Sequence, residues 1–372
     1  MNINALIFYI YLLLIQGEVV ALESFASQKH DFKVEIITDE LTNPWGMVFL
    51  PSGEMLVTER RGKLLRVAND GNILSTIQGL PSVKEKGQGG LLGIALHPDF
   101  QINNMVYLSY TGKGRGGYGT EVARGRLQGN SLTDVNTIFK AMAKSGGGRH
   151  FGSRLVFAAD GSLFVSLGER GKEKFAQDLH DHRGSLIRIN DDGSVPADNP
   201  FTRRKNARPE IYSYGHRNIQ GMVMHRGTGE IWTHEHGPQG GDEINRIKAG
   251  VNYGWPVITY GVNYGIGTKI GEGTHKAGMQ QPIHFWVPSI APSGMTFYTG
   301  DKFPQWRDDV FVGSLKFGLL VRLEIKDDKV INEERLLNNK YGRIREVVEG
   351  PDGYLYLLTD DTKGKILKLS PL

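Results

Sequence analysis

The sequence predicts an all-β protein: a single six-bladed β-propeller with four-stranded antiparallel blades, occupying residues 32–372. Three observations carry that expectation. One unit recurs six times, an apolar strand, a turn built from Asp, Asn, Pro or Gly, and a second alternating strand. Glycine is abundant, with 49 among 372 residues and no collagen-like period, which supplies many tight connections. No long amphipathic helical pattern interrupts the series, and that argues against Rossmann and TIM architectures.

The chain starts with an apolar run at 5–15 (ALIFYIYLLLI), short for a bilayer span and followed by small residues. VVA at 19–21 and SFA at 24–26 both resemble signal-peptidase sites, ahead of the polar SQKH. Residues 1–26 are therefore expected to be a cleaved export signal. That predicts a periplasmic or secreted protein with no membrane span once the signal is removed.

Strand 32–38 (FKVEIIT) is expected to pair with the last blade, closing the ring and removing its open edges. The repeats follow in order. GMVFL (46–50) turns at PSG into EMLVT (54–58), and GIAL (93–96) turns at HPD and resumes at MVYLS (105–109). RLVF (154–157) turns at DG into SLFVS (162–166), and GMVM (221–224) turns at GTG into EIW (230–232). GMTFY (294–298) leads to DVFVG (309–313), and REVV (345–348) turns at PDG into YLYL (354–357). Third strands are visible at 63–67, 186–189 and 365–369. The spacing, roughly 45–75 residues, is looser than in WD40 arrays, so the inserts should be loops on one face.

Composition removes several classes of function. The net charge of +4, from 44 basic and 40 acidic residues, is too small to demand nucleic acid. The basic residues are scattered, and no zinc-finger or RNA-binding signature is present. Cysteine is absent, which excludes disulfides, zinc thiolates and thiol nucleophiles together.

Chemistry concentrates at the strand ends. The loop HEHGPQGGDEIN (234–245) follows the strand GEIWT (229–233). Gly237 has no side chain and Pro238 no N–H, so their carbonyls can turn toward a guest. Asp242 and Glu243 add carboxylates, and such a hard-oxygen set suits calcium. Taken alone, the loop reads better as a glycine-rich hairpin whose acids face water, and the other strand-end residues are what shift that reading. The run GGGRHFGS (146–153) presents His150 just before a strand, as a side chain suited to accepting a proton near neutral pH. Glu169, ending the next strand, could orient that imidazole. Arg217 with Asn218, Lys316, Arg343 and Arg345 recur at equivalent ends. Gathered at one channel mouth, those cations would receive a polyanion, with Arg making two-point contacts to carboxylates. Two runs are set aside. The G-x-G-x-x-G match at 112–117 has no helix pattern after it. The pairs His180/His182 and His234/His236 lack a third ligand and are read as structural.

With these runs in place, the chain resembles the soluble quinoprotein aldose (glucose-type) dehydrogenases, which use pyrroloquinoline quinone (PQQ) on a six-bladed propeller. The resemblance spans about 41–369. It rests on NPWGMVFLPSGEMLVTER, GQGGLLGIALHPDF, RHFGSRLVF, SYGHRNIQG, HGPQGGDEIN, NYGWP, SLKFG and RIREV, in that order. It implies that His150 is the general base for the sugar's C1 hydroxyl and that Arg217, beside Asn218, polarises the quinone. Gln88, Lys316, Arg343, Arg345 and Tyr264 are implied as cofactor contacts. Gly237 and Pro238 are implied carbonyl ligands of a calcium that bridges protein and PQQ, with Asp242 behind them. Glu243 and Tyr253 are implied ligands of a further, structural calcium. Two departures stand out. Glu169 replaces the Asp of the glucose-oxidising members, and Val287 stands where those members carry Trp, which opens the sugar side of the pocket. Loops shorter than those of the dimeric enzymes favour the broader aldose-dehydrogenase branch and leave the chain a monomer or a dimer.

The expected activity is therefore oxidation of aldoses at C1 to lactones, with an electron acceptor left open. The alternatives are a non-catalytic propeller that binds sugar or protein, and a calcium-dependent hydrolase on the same fold.

Overall fold

The computed structural model of the protein describes residues 23–327 and 329–372. The apolar run and the first of the two cleavage motifs lie outside the described residues. What is described is almost entirely β: six sheets, one single-turn helix (Phe100–Asn103) and two short 3-10 turns. Five sheets have four antiparallel strands, and the sixth has five.

The innermost strands are Pro44–Phe49, Leu91–Leu96, Leu155–Phe157, Ile219–Met224, Pro292–Phe297 and Ile344–Glu349, each packed beside the next around the ring. The ring closes as expected. Phe32–Leu41 pairs antiparallel with Gly364–Pro371, placing Val34 opposite Leu369 and Ile36 opposite Leu367. An additional strand, Glu23–Phe25, pairs outside it, with Phe25 stacked on Phe32 at 5.5 Å.

Alternation along the strands does not produce one central core. Each pair of neighbouring blades buries its own apolar wedge. Leu56 and Leu64 of the first blade meet Val106 and Leu108 of the second, and Phe32 and Val34 of the sixth meet Trp306 and Phe311 of the fifth. Toward the axis the wedges give way to hydroxyls that join blades. The Thr58 hydroxyl donates to the Leu92 carbonyl (2.6 Å), and Ser109 donates to the Ser153 carbonyl (2.6 Å). The glycines that open the repeats belong to this crowding. A Cβ on Gly93 would strike the Ser153 carbonyl, and one on Gly294 would strike Glu346.

On the axis, Arg154 pairs with Glu346 and donates to the Gln220 carbonyl at 2.6 Å. Both lie along a cavity of about 190 Å³, behind the site described next.

Candidate active site

The first strand of each blade enters, and the second leaves, on one face. There the loops enclose a cavity of about 1150 Å³. Every blade contributes to its wall, including Trp45, Gln88, Asn218, Pro238, Lys316, Arg343 and Asp360. Gln88, Asn218, Pro238, Tyr264, Lys316, Arg343 and Arg345, separate runs in the sequence, thus line one space.

His150 stands behind this wall, next to Phe151 and Gly152, and is only 9% exposed. Its backbone lies in the left-handed region at φ 56°. Its amide donates to Gln88 Oε1 at 2.8 Å, and its Nδ1 meets the Glu169 carboxylate. Glu169 is itself buried and also accepts the Lys172 amide. The ring is therefore fixed with Nε2 as the nitrogen left for chemistry. Burial pushes the His150 pKa below its ordinary value. The hydrogen bond to Glu169 works against that, and the Arg217 charge adds to the depression.

Arg217 lies under the cavity floor. Its Nη1 donates to the carbonyls of His236 (3.1 Å) and Gly237 (2.7 Å), and its guanidinium lies 5.3 Å from the centre of the Trp255 ring. It thus shares a carbonyl oxygen that calcium was expected to take. An oxygen with two lone pairs can serve both.

The loop 236–242 is shaped by Asp242, which is fully buried. One oxygen accepts the Gly237 amide (2.9 Å). The other accepts Ser289 Oγ (2.6 Å) and the amides of Ile290 (2.8 Å) and Ala291 (2.9 Å). Both oxygens are engaged by the loops they join, so Asp242 fixes the direction of the Gly237 carbonyl and is not placed to ligate a metal itself. No described residue donates a hydrogen bond to the Pro238 carbonyl.

Beneath the floor is a second, ion-sized space of about 10 Å³, lined by Arg217, Glu235, Gly237, Glu243, Tyr253 and Thr259. Glu235 and Glu243 face each other directly across adjacent strands, an arrangement that repels. Burial first, and then the Glu235 charge, pushes Glu243 well above the ordinary carboxylate range. The Tyr253 phenol is committed, donating to the Arg246 carbonyl (2.6 Å) and accepting the Lys248 amide (2.9 Å). Only its main-chain oxygen could serve a metal.

Among the cations, Arg343 and Arg345 both reach Asp360, at 3.0 and 2.7 Å. The buried Arg345 Nε has no hydrogen-bond partner. Lys316 has no carboxylate within ion-pair distance among the described residues. Glu235 and Asp360 were not singled out from the sequence. Their signal was position: Glu235 ends the second strand of its blade, and Asp360, like Lys316 and Glu169, lies just beyond the end of the second strand of its own.

The runs set aside are structural here. His234 is fully buried against the Ser293 carbonyl, with its pKa pushed down to about 3 by that burial. His236 bonds the Pro292 carbonyl at 2.6 Å, and the exposed His180 bonds Asp178. Residues 112–117 form the hairpin between Met105–Gly114 and Gly117–Gln128.

The sequence model of the family described as glucose/sorbosone dehydrogenase matches residues 41–368. The chain belongs to the glucose/sorbosone dehydrogenase family. It is 46% identical over 344 residues to the aldose sugar dehydrogenase YliI of Escherichia coli K12, covering 91% of this chain and 92% of that one. The soluble aldose sugar dehydrogenase of E. coli, solved in its apo form, superposes with a TM-score of 0.89 at 45% identity, over 92% and 100% of the two chains. The PQQ-bound aldose sugar dehydrogenase of Streptomyces coelicolor superposes with a TM-score of 0.75 at 29% identity, over 91% and 98%. Family membership therefore extends across all six blades and every loop of the two cavities. Within that frame, this chain's wall is open beside the loop 236–242. Val287 and Tyr264 line the cavity yet are 63% and 69% exposed.

Proposed function

We propose that the protein oxidises aldose sugars at C1 to lactones, using PQQ and calcium in the larger cavity and His150 as general base. The observation that carries this reading is the buried His150–Glu169 pair, set at the edge of a cavity walled by cations.

The donor set fits both groups. A polycarboxylate cofactor needs cations with bonding capacity to spare, and the Lys316 ammonium and the orphaned Arg345 Nε provide it. Arg343 and Arg345 would grip carboxylates in planar fashion, with Gln88, Asn218 and Tyr264 at the cofactor's edges. A hard cation would be held by the carbonyls of Gly237 and Pro238, aimed by Asp242. Glu243, with Glu235 opposite, and the Tyr253 carbonyl would hold a second, structural calcium that relieves the repulsion between the two acids.

When bound, PQQ supplies the two-electron acceptor. The rest belongs to this chain. His150, neutral because it is buried, takes the proton from the sugar's C1 hydroxyl at Nε2. Glu169 keeps the ring in register and steadies the imidazolium as it forms. Arg217 supplies fixed positive charge where negative charge develops. The blade walls keep bulk water from the base.

Export to the periplasm or beyond is part of the proposal. Cleavage after Ala21 would spare the strand Glu23–Phe25, whereas cleavage after Ala26 would remove it. Adding PQQ and calcium to purified apoprotein should produce aldose-dependent reduction of a dye. Dye reduction that needs neither PQQ nor calcium would defeat the proposal. Sugar binding without turnover would favour a binding propeller.

A further inference from the structure

We propose that Arg170 is a positioning residue for His150: it ties down the main chain that carries the imidazole while its neighbour Glu169 holds the ring. This rests on the reading of His150 as the base.

The segment leading to His150 cannot hold its own shape. Residues 146–148 are three glycines, and a Cβ on Gly146 would meet nothing within 4 Å. The chain then passes through left-handed conformations at His150 (φ 56°), Gly152 (φ 62°) and Ser153 (φ 87°). A non-glycine residue stays in that region only where its surroundings overdetermine it.

Asn218 and Gln220 hold Gly152, and two further residues divide the stretch before it between them. Gln88 takes the even positions: its side-chain Oε1 accepts the His150 amide (2.8 Å), and its backbone N–H donates to the Gly148 carbonyl (2.7 Å). Arg170 takes the odd ones. Its two terminal nitrogens donate to the carbonyls of Gly147 and Arg149, and its guanidinium lies 3.3 Å from the centre of the Phe151 ring. Five consecutive residues, 147–151, are thus gripped in alternation from two sides.

Arg170 is 5% exposed, and no carboxylate among the described residues lies within ion-pair distance of it. Burial lowers its pKa to about 10. A buried cation without an acid partner is costly to keep, and carbonyls of the His150 segment are its main compensation. The turn that bears it packs straight onto the base, since a Cβ on Gly168 would collide with the His150 carbonyl. One turn, Gly168–Glu169–Arg170, therefore supplies both the acid for the ring and the cation for its backbone. Misplacing a reacting group by about 1 Å can cost roughly a hundredfold in rate.

The test uses Arg170→Gln and Arg170→Lys, alone and combined with His150→Ala. In protein free of cofactor and metal, hydrogen exchange in the 145–152 segment should accelerate in Arg170→Gln while the blade strands stay protected. With PQQ and calcium bound, kcat should fall about a hundredfold, with KM for the aldose and the PQQ affinity within about twofold of wild type. Arg170→Lys should recover part of the loss. In the His150→Ala background, Arg170→Gln should cost nothing more, because its effect passes through His150. Unchanged exchange at 145–152, wild-type kcat, or an additive loss in the double variant would overturn the inference. If Arg170→Gln does not fold, Arg170→Lys and Phe151→Leu, which removes the ring under the guanidinium, carry the same comparisons. Should His150→Ala alone reduce bound PQQ at the wild-type rate, the reading beneath fails instead.

Discussion

At His150 the opposing influences can be ranked. Burial disfavours the imidazolium more than the Glu169 hydrogen bond favours it, so the pKa lies below 6.5. A group with a lowered pKa remains a free base down into acid. The rate of cofactor reduction is therefore expected to be flat from about pH 6.5 upward and to fall only below that. Glu169→Gln keeps an acceptor for Nδ1 but removes the negative charge that helps to raise the pKa. Its acid limb should move to lower pH, while the plateau drops because the imidazolium loses its steadying charge. Rapid-mixing rates across pH check both, and an acid limb that moves upward in Glu169→Gln would contradict the ranking. His150 and Glu169 were legible in the sequence because glycines frame one and a strand end presents the other. Glu235 and Asp360 were not. An acid at a strand end looks like any turn acid until register sets Glu235 opposite Glu243, or folding brings Asp360 between Arg343 and Arg345.

At the scale of elements, the loop 236–242 depends on one buried carboxylate that serves donors from two segments. Asp242→Asn puts an amide group where those N–H groups need an oxygen. Each donor left unpaired costs about 1–3 kcal/mol, so the melting temperature should drop, and calcium and PQQ should both bind more weakly. Thermal unfolding and metal titration of the variant measure this, and unchanged calcium affinity would show that Asp242 does not aim the Gly237 carbonyl. The loop's content was legible from Gly237 and Pro238. The division of its acids was not, because spacing alone cannot separate Asp242, turned into its own loop, from Glu243, turned to the lower cavity. Beside it, the exposed Val287 leaves the cavity wall open on what the proposal takes as the sugar side. Glucose, galactose, xylose and maltose should then give similar kcat/KM, since a methylene-scale gap discriminates by only about 1–3 kcal/mol. A preference of several orders of magnitude for one of them would contradict an open wall.

Across the whole molecule, the ring holds together through six inter-blade wedges and one closing pair of strands. The fold was legible because the strand–turn–strand unit repeats, and even the closing strand at 32–38 was visible in its alternation. The strand Glu23–Phe25 was not, since three residues carry no period and they sit inside a segment that reads as an export signal. On the proposed reading, the lower cavity would couple this architecture to metal. Its two facing acids join adjacent strands of the fourth blade, so a cation bound there should stabilise the fold in proportion to its affinity. Chelation should lower the melting temperature even without PQQ. Glu243→Gln should raise the stability of the metal-free protein and remove most of calcium's stabilising effect. An undiminished calcium-dependent shift in Glu243→Gln would place the structural cation elsewhere.

The central claim is that His150 takes the sugar's proton while its cofactor is held by other residues. Protein loaded with PQQ and calcium, wild type and His150→Ala, is mixed rapidly with excess aldose, and the quinone absorbance is followed. The account predicts equal cofactor loading in both proteins, and reduction slower by about 10²–10⁴ in His150→Ala. Reduction of bound PQQ by His150→Ala at the wild-type rate would contradict it.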